Sequence, residues 1–219
     1  MKDLLIVANW KANKNKNQTI EYFERLEQLE NVEGKEVAIC PPYTLLDVAS
    51  SWVYDKNISV KIGAQDVSQF SQGAYTGEVT AEQVKEFATY VLIGHSERRS
   101  NFSEDFLILS KKVEEVLKNN LTPIYCVSNP TMEIPKGVKI VAYEPLDAIG
   151  TGRPETVENA SAIALEIKGK NREVEKVLYG GSITAENVNS FTSSPNIDGV
   201  LVGGASLDPS ELLTVIENA

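Results

Sequence analysis

Several short apolar runs in this chain end in residues that can move protons or hold charge. The run at 4–8 leads into Asn9 and Lys11, an amide and a cation. The run at 90–93 leads through Gly94 into His95, the only histidine, and then Glu97. The run at 138–143 ends at Glu144, with Pro145 directly after it. Proline lacks an N–H and fixes its own backbone, so the run stops there and the carboxylate stands at its tip. The runs at 177–179 and 199–202 end in Gly180-Gly181-Ser182 and Gly203-Gly204. A carboxylate and an imidazole are suited to general acid–base work. A lysine steadies a developing enolate oxygen. Glycine turns that open helices present backbone N–H groups to a phosphate. Taken singly, each residue also has a plain explanation: a solvated Glu before a turn, a surface Lys, a packed His, a tight turn. Together they describe a proton-transfer site for a small phosphorylated carbonyl compound.

The elements that must position these residues follow from the same runs. Eight short apolar stretches, at 4–8, 37–40, 60–64, 90–93, 123–127, 138–143, 177–179 and 199–202, read as buried strands. Mostly helical links separate them: 17–29, from about 44 to 54, a short helix opened by Thr80, 104–118 capped by Ser103, 154–168, one capped by Thr184, and 209–217. Strand–helix alternation means parallel strands with crossovers. Eight units in 219 residues predict an α/β fold, a (β/α)8 barrel filling residues 1–219 as a single domain. A doubly wound sheet is the alternative, and it calls for a Gly-rich fingerprint after the first strand that this chain lacks. In a barrel, every residue of the set above lies at the end where strands pass into helices, which is where barrel active sites form. His95 precedes Ser96-Glu97-Arg98-Arg99, a helical turn whose positive end favours the neutral imidazole.

Composition narrows the partners. Apolar residues make up 42% and charged residues 24%, the profile of a folded soluble protein. No apolar run is long enough to span a bilayer, and the N-terminal MKDLLIVANWK reads as a first strand rather than a signal peptide. The cytoplasm is the expected compartment. Cys40 and Cys126 are expected as buried free thiols, and one His with two Cys gives no zinc spacing, so no structural metal is expected. A net charge of −10 argues against nucleic acid and anionic membranes as partners. It leaves room for a small anion, because a local lysine and helix N-termini govern the field in a pocket.

The motifs NWK, GHSERR, YEP with AIGTG, YGGS and LVGGASL, in this order from the first strand to the last, resemble those of the triosephosphate isomerase family. The resemblance implies a TIM barrel that interconverts dihydroxyacetone phosphate and glyceraldehyde 3-phosphate through an enediolate, in glycolysis and gluconeogenesis, without metal or organic cofactor. By the same resemblance Glu144 is the base and His95 the electrophile. Lys11 is the substrate-binding cation, placed by Asn9, and Glu97 is the buried carboxylate that supports it. Gly150, Ser182, Gly203 and Gly204 grip the phosphate, Gly150 from a lid, and Cys126 lies beside the base. The long polar stretch from Gln65 to Val79 contains GAYTGE, similar to the family's interface loop. It implies a homodimer in which Thr76 reaches the neighbouring subunit's site near Lys11 and Asn9.

The chain departs from the family pattern in three places. Asp147 stands where the family usually has Trp, Ser128-Asn129 where it usually has Gly-Glu, and the stretch from there to Glu144 is too short for a helix. The shortening resembles compact archaeal members, for which a tetramer is the alternative assembly, whereas YGGS and LVGGASL resemble bacterial ones. Two other functions fit the bare residues: a lyase or synthase acting on a larger sugar phosphate, and a barrel kept as a binding protein. The intact set of Lys11, His95 and Glu144 speaks against the second.

Overall fold

The computed structural model describes residues 2–27, 33–148 and 154–219. Among these residues eight strands form, β1 (Leu4–Asn9), β2 (Lys35–Cys40), β3 (Lys61–Ala64), β4 (Tyr90–Ile93), β5 (Thr122–Val127), β6 (Ile140–Tyr143), β7 (Lys176–Tyr179) and β8 (Gly199–Val202). Each pairs in parallel with the next, and β8 closes onto β1 in the register Leu5↔Gly199 to Ala8↔Val202. The closure needs a glycine. Gly199 has φ +151°, and a Cβ there would sit 1.9 Å from the Leu5 carbonyl oxygen.

Strand side chains alternate between two cores, as the pleat requires. Leu5, Val7, Leu92, Cys126, Ala142 and Leu201 pack with one another inside the barrel. Ile6, Ala8, Ile93, Val127 and Val141 face outward and pack with helix residues such as Phe23, Val113 and Ile167. Residues on the inward parity just past the strand tips therefore stand over the barrel mouth. Asn9 lies two beyond Val7, Glu144 two beyond Ala142, Gly180 two beyond Leu178 and Gly203 two beyond Leu201.

The helices are α1 (Lys16–Leu26), α2 (Leu46–Asp55), α3 (Ala81–Val84), α4 (Ser96–Phe102), α5 (Phe106–Lys118), α6 (Val157–Lys170), α7 (Val188–Thr192) and α8 (Pro209–Asn218). Thr80 does cap α3, in a reciprocal box with Gln83. Other expected caps are corrected. Asp105, not Ser103, caps α5 by accepting the Ile108 N–H, while Ser103 ends α4 in the left-handed conformation. A carboxylate there also suits the positive helix end. Thr44 lies inside a 3-10 turn (Tyr43–Leu45) that leads into α2. Thr184 precedes a turn held by its own N–H to Asn187 Oδ1, and α7 begins only at Val188. Between β5 and β6 no helix forms. Ser128 contacts Met132 Sδ through its N–H and hydroxyl, and Met132 and Ile134 lie against the outer core.

A buried charge cluster joins the end of β3 to α4 and α5. Lys112 Nζ lies 2.7 and 2.6 Å from the two Asp66 oxygens and 2.5 Å from Glu104 Oε1. Arg98 adds Nε contacts of 2.9 Å to Asp66 and 2.8 Å to Glu104. Burial pushes Asp66 up to about 6 against the pull of Lys112. Burial also raises Glu104, but its hydrogen bonds to Arg98 and Lys112 outweigh that and leave it below the usual carboxylate value.

Candidate active site

Glu144 leaves β6 with its N–H bonded to the Val127 carbonyl at 2.8 Å, so its backbone is still held by β5. The residue is 2% exposed. Oε2 accepts the Ser96 N–H at 2.9 Å, at the start of α4. Oε1 lies 3.1 Å from His95 Nε2. That contact lacks hydrogen-bond alignment, and among the described residues Oε1 has no donor. A buried carboxylate oxygen left open in this way is a feature of reactive sites rather than of packing. The carboxylate has room only because residue 180 is glycine: a Cβ there would stand 3.0 Å from Glu144 Cγ.

His95 reaches the mouth because Gly94 turns the chain with φ +72°. A side chain at 94 would strike the Arg99 guanidinium, whose Nε and Nη2 tie the Gly94 and Cys126 carbonyls at 2.7 and 2.9 Å. His95 Nδ1 accepts the Glu97 N–H at 3.2 Å. An accepting Nδ1 carries no proton, so the ring proton is on Nε2, the nitrogen that faces Glu144.

Lys11 sits at φ +51°, a strained conformation for a side-chain-bearing residue. Its N–H donates to Asn9 Oδ1 at 3.0 Å. Gln65 Nε2 donates to the Lys11 carbonyl at 2.8 Å and to the Cys40 carbonyl at 2.9 Å. The ammonium meets Glu97 Oε1 at 2.7 Å. Glu97 corrects one expectation: its side chain is 46% exposed, so it is not a buried support. An ion pair this open contributes little stability; what it does is aim the lysine.

Lys11 and His95 border one cavity of about 240 Å³. Asn9, Lys11, His95, Ser182, Gly203 and Gly204 are in its wall. Its volume is below the roughly 300–1,000 Å³ of sites for drug-sized ligands, and so suits a small substrate. Glu144 is not in the wall; its carboxylate is turned toward Ser96 and His95. Thr76 is exposed on the 65–79 arm, away from this chain's own cavity. Gly150, with the rest of the expected AIGTG lid beyond Ala148, lies outside the described residues.

The family model described as "Triosephosphate isomerase" matches residues 4–219. This chain belongs to the triosephosphate isomerase family. Its similarity extends to whole proteins. It is 35% identical to the triosephosphate isomerase of Dictyoglomus thermophilum, over 100% of both chains. Identity is also 35% with that of Mesomycoplasma hyopneumoniae strain 7448, over 98% of this chain and 99% of the relative. With that of Aquifex aeolicus it is 35% over 97% and 98%.

Against this triosephosphate isomerase fold, four residues take roles that their place in the sequence does not show. Gln65 opens the polar arm in the sequence, yet it lies two beyond Gly63, on the inward parity of β3, and it pins the strained Lys11. Ser96 holds Glu144 through its backbone, Gly180 makes space for it, and Arg99 ties the tips of β4 and β5. For Ser96 and Arg99 the available signal was position inside GHSERR, directly after His95. Cys126 is fully buried, and burial together with the neighbouring Glu144 charge pushes its thiol well above the ordinary range.

Proposed function

We propose that this chain interconverts dihydroxyacetone phosphate and glyceraldehyde 3-phosphate, with Glu144 as the base. The observation that carries the assignment of roles is the 3.1 Å approach of His95 Nε2 to the open Oε1 of Glu144, beside a small cavity holding Lys11. Glu144 turns from Ser96 to the substrate and removes a proton from the carbon beside the carbonyl. The His95 Nε2–H polarises the carbonyl oxygen and carries protons between the two oxygens of the enediolate. Lys11 opposes the negative charge that develops. Ser182 with the backbone at Gly203 and Gly204 receives the phosphate, where the turns after the seventh and eighth strands commonly bind it. None of these steps calls for a metal or an organic cofactor.

The reading extends to the whole chain as one domain working in the cytoplasm as a homodimer, with a tetramer as the alternative. Both cysteines are free and buried, which fits a reducing compartment. No helix among the described residues is long and apolar enough to cross a membrane. The 65–79 arm is pinched at its base by Ser68 N–H to the Val79 carbonyl, and Phe70 stacks on Tyr75 at 4.1 Å. That leaves Thr76 presented on a stiff tip for a neighbour.

A coupled assay on purified protein tests the function. Turnover of either triose phosphate, without added metal, is the expected result. No turnover of triose phosphates, with turnover of a longer sugar phosphate, would move the chain to another phosphate-binding chemistry.

A further inference from the structure

Lys14 lies between β1 and α1, in the same loop as Lys11, and the proposed chemistry does not use it. Its backbone is left-handed at φ +73°, a costly conformation for a residue with a side chain. The side chain shows what that conformation serves. Nζ donates to the Leu207 carbonyl at 2.6 Å. The same ammonium stands 4.6 Å from the centre of the Tyr22 ring and 5.0 Å from that of Trp10, close enough for both rings to attract it. Its contacts are a carbonyl and two aromatic rings rather than a carboxylate. The two rings are themselves fixed: both are buried and meet edge to face at 4.6 Å. The Tyr22 hydroxyl donates to the adjacent carbonyl, that of Ser206, at 2.8 Å.

The segment held in this way is the turn that follows β8. Gly204–Ser206 form a single 3-10 turn. Within it Ser206 Oγ donates to the Gly203 carbonyl at 2.6 Å, and the Leu207 N–H to the Gly204 carbonyl at 3.0 Å. One end of the turn, Gly203 and Gly204, lines the cavity beside Lys11, and a Cβ on Gly203 would stand 3.7 Å from Lys11 Cε. The other end, Ser206 and Leu207, is tied to Tyr22 and Lys14. Lys14 borders a separate surface cavity with Leu207 and Asp208, so it acts from behind the turn and not on the substrate. We propose that Lys14 is a positioning residue for the phosphate: by holding the Leu207 carbonyl against the Trp10–Tyr22 pair, it sets where the Gly203-Gly204 backbone stands relative to Lys11. A lysine kept only for solubility would extend into water, with no need of a left-handed backbone or of an aromatic pair beneath its ammonium.

The inference rests on the isomerase reading, in which phosphate sits at this turn, and the two are measured separately. Turnover of triose phosphate by the unaltered protein reports on the reading. Binding of inorganic phosphate, followed by isothermal titration calorimetry, reports on the inference with or without turnover. Lys14→Met keeps most of the stem and removes the charge and the donor. It is expected to weaken phosphate binding about fivefold, part of what one charge-assisted hydrogen bond supplies. KM for triose phosphate should rise by the same factor with kcat within about twofold, since a grip shared by substrate and transition state is lost. Lys14→Arg, which keeps a donor and a cation that stacks on aromatic rings, is expected to bind phosphate within about twofold of the unaltered protein. Lys14→Gly removes the same contacts as Lys14→Met but relieves the left-handed backbone. It is expected to lose as much phosphate affinity as Lys14→Met while resisting urea at least as well, and it carries the test if Lys14→Met does not fold. Phosphate affinity within twofold of the unaltered protein in Lys14→Met or Lys14→Gly would overturn the inference. So would a Lys14→Arg variant as weak as Lys14→Met, affinities that follow urea stability rather than the presence of the cation, or an unaltered protein that binds no phosphate.

Discussion

In the proposed role a base must be kept ordered until it turns to substrate, and Glu144 is held through one oxygen while the other stays without an aligned hydrogen bond. Oε2 is anchored to the Ser96 N–H, whereas Oε1 faces His95 Nε2 at 3.1 Å without a donor. Lys11 is held differently: its backbone is strained and its carbonyl is pinned by Gln65. Gln65→Ala removes two hydrogen bonds to partly buried carbonyls, each of which contributes about 1 kcal/mol. We expect kcat/KM to fall about 10-fold, mainly through KM, because the cation proposed to meet the substrate loses its aim; steady-state kinetics check this, and a variant with unaltered KM would show that Lys11 needs no such brace. At this scale much of the site was legible. Asn9, Lys11, His95 and Glu144 each end an apolar run, which is a visible position. Gln65 was hidden because a polar residue opening a polar arm looks like part of the arm. The exposure of Glu97 could not be read from its motif either. It reaches across the open rim to Lys11.

Among the elements, the strands were read almost to the residue because each is a short apolar run between polar breaks. The helix starts were read less well. Ser103, Thr44 and Thr184 are all plausible caps by type, but Asp105 two residues later gives α5 both a side-chain acceptor and a charge at its positive end. Sequence alone does not rank such neighbours, since the choice depends on where the helix must begin to cover β4 and β5. The Asp66, Lys112, Glu104 and Arg98 cluster escaped notice for a similar reason: its members are far apart in sequence and meet only when β3, α4 and α5 pack. It carries a pH signature. The folded-state value of Asp66 is raised to about 6 from 3.8, so the folded protein holds this proton more tightly than the unfolded chain. The stability attached to it is present below about pH 4 and is lost as pH rises through about 6. Urea unfolding of the unaltered protein and of Asp66→Asn at pH 4.5 and 6.5 tests this. The stability of the unaltered protein relative to Asp66→Asn should be greater at pH 4.5, and a difference that grows toward pH 6.5 would contradict the assignment.

At the scale of the whole molecule, a barrel closed by eight parallel strands gathers one carboxylate, one imidazole and one cation at a single mouth, in a chain with net charge −10. The surface repels anions at long range, so in the proposed function capture of a phosphate falls to Lys11 and the backbone N–H groups around Gly203 and Gly204, which line the cavity. Size-exclusion chromatography with light scattering should give twice the 24.0 kDa of one chain. Thr76→Glu at the arm tip should shift the protein toward one chain mass and lower kcat; a fully active particle of 24.0 kDa would remove the partner from the account. The shortened link between β5 and β6 leaves the mouth residues in place, since Glu144 keeps its backbone bond to Val127. The proposal that unites these scales is proton transfer by Glu144, and the turnover number of Glu144→Gln tests it most directly. The substitution keeps the size of the side chain and removes the base, and kcat should fall by about a hundredfold or more with the fold intact by circular dichroism. A kcat within a few-fold of the unaltered protein would contradict it.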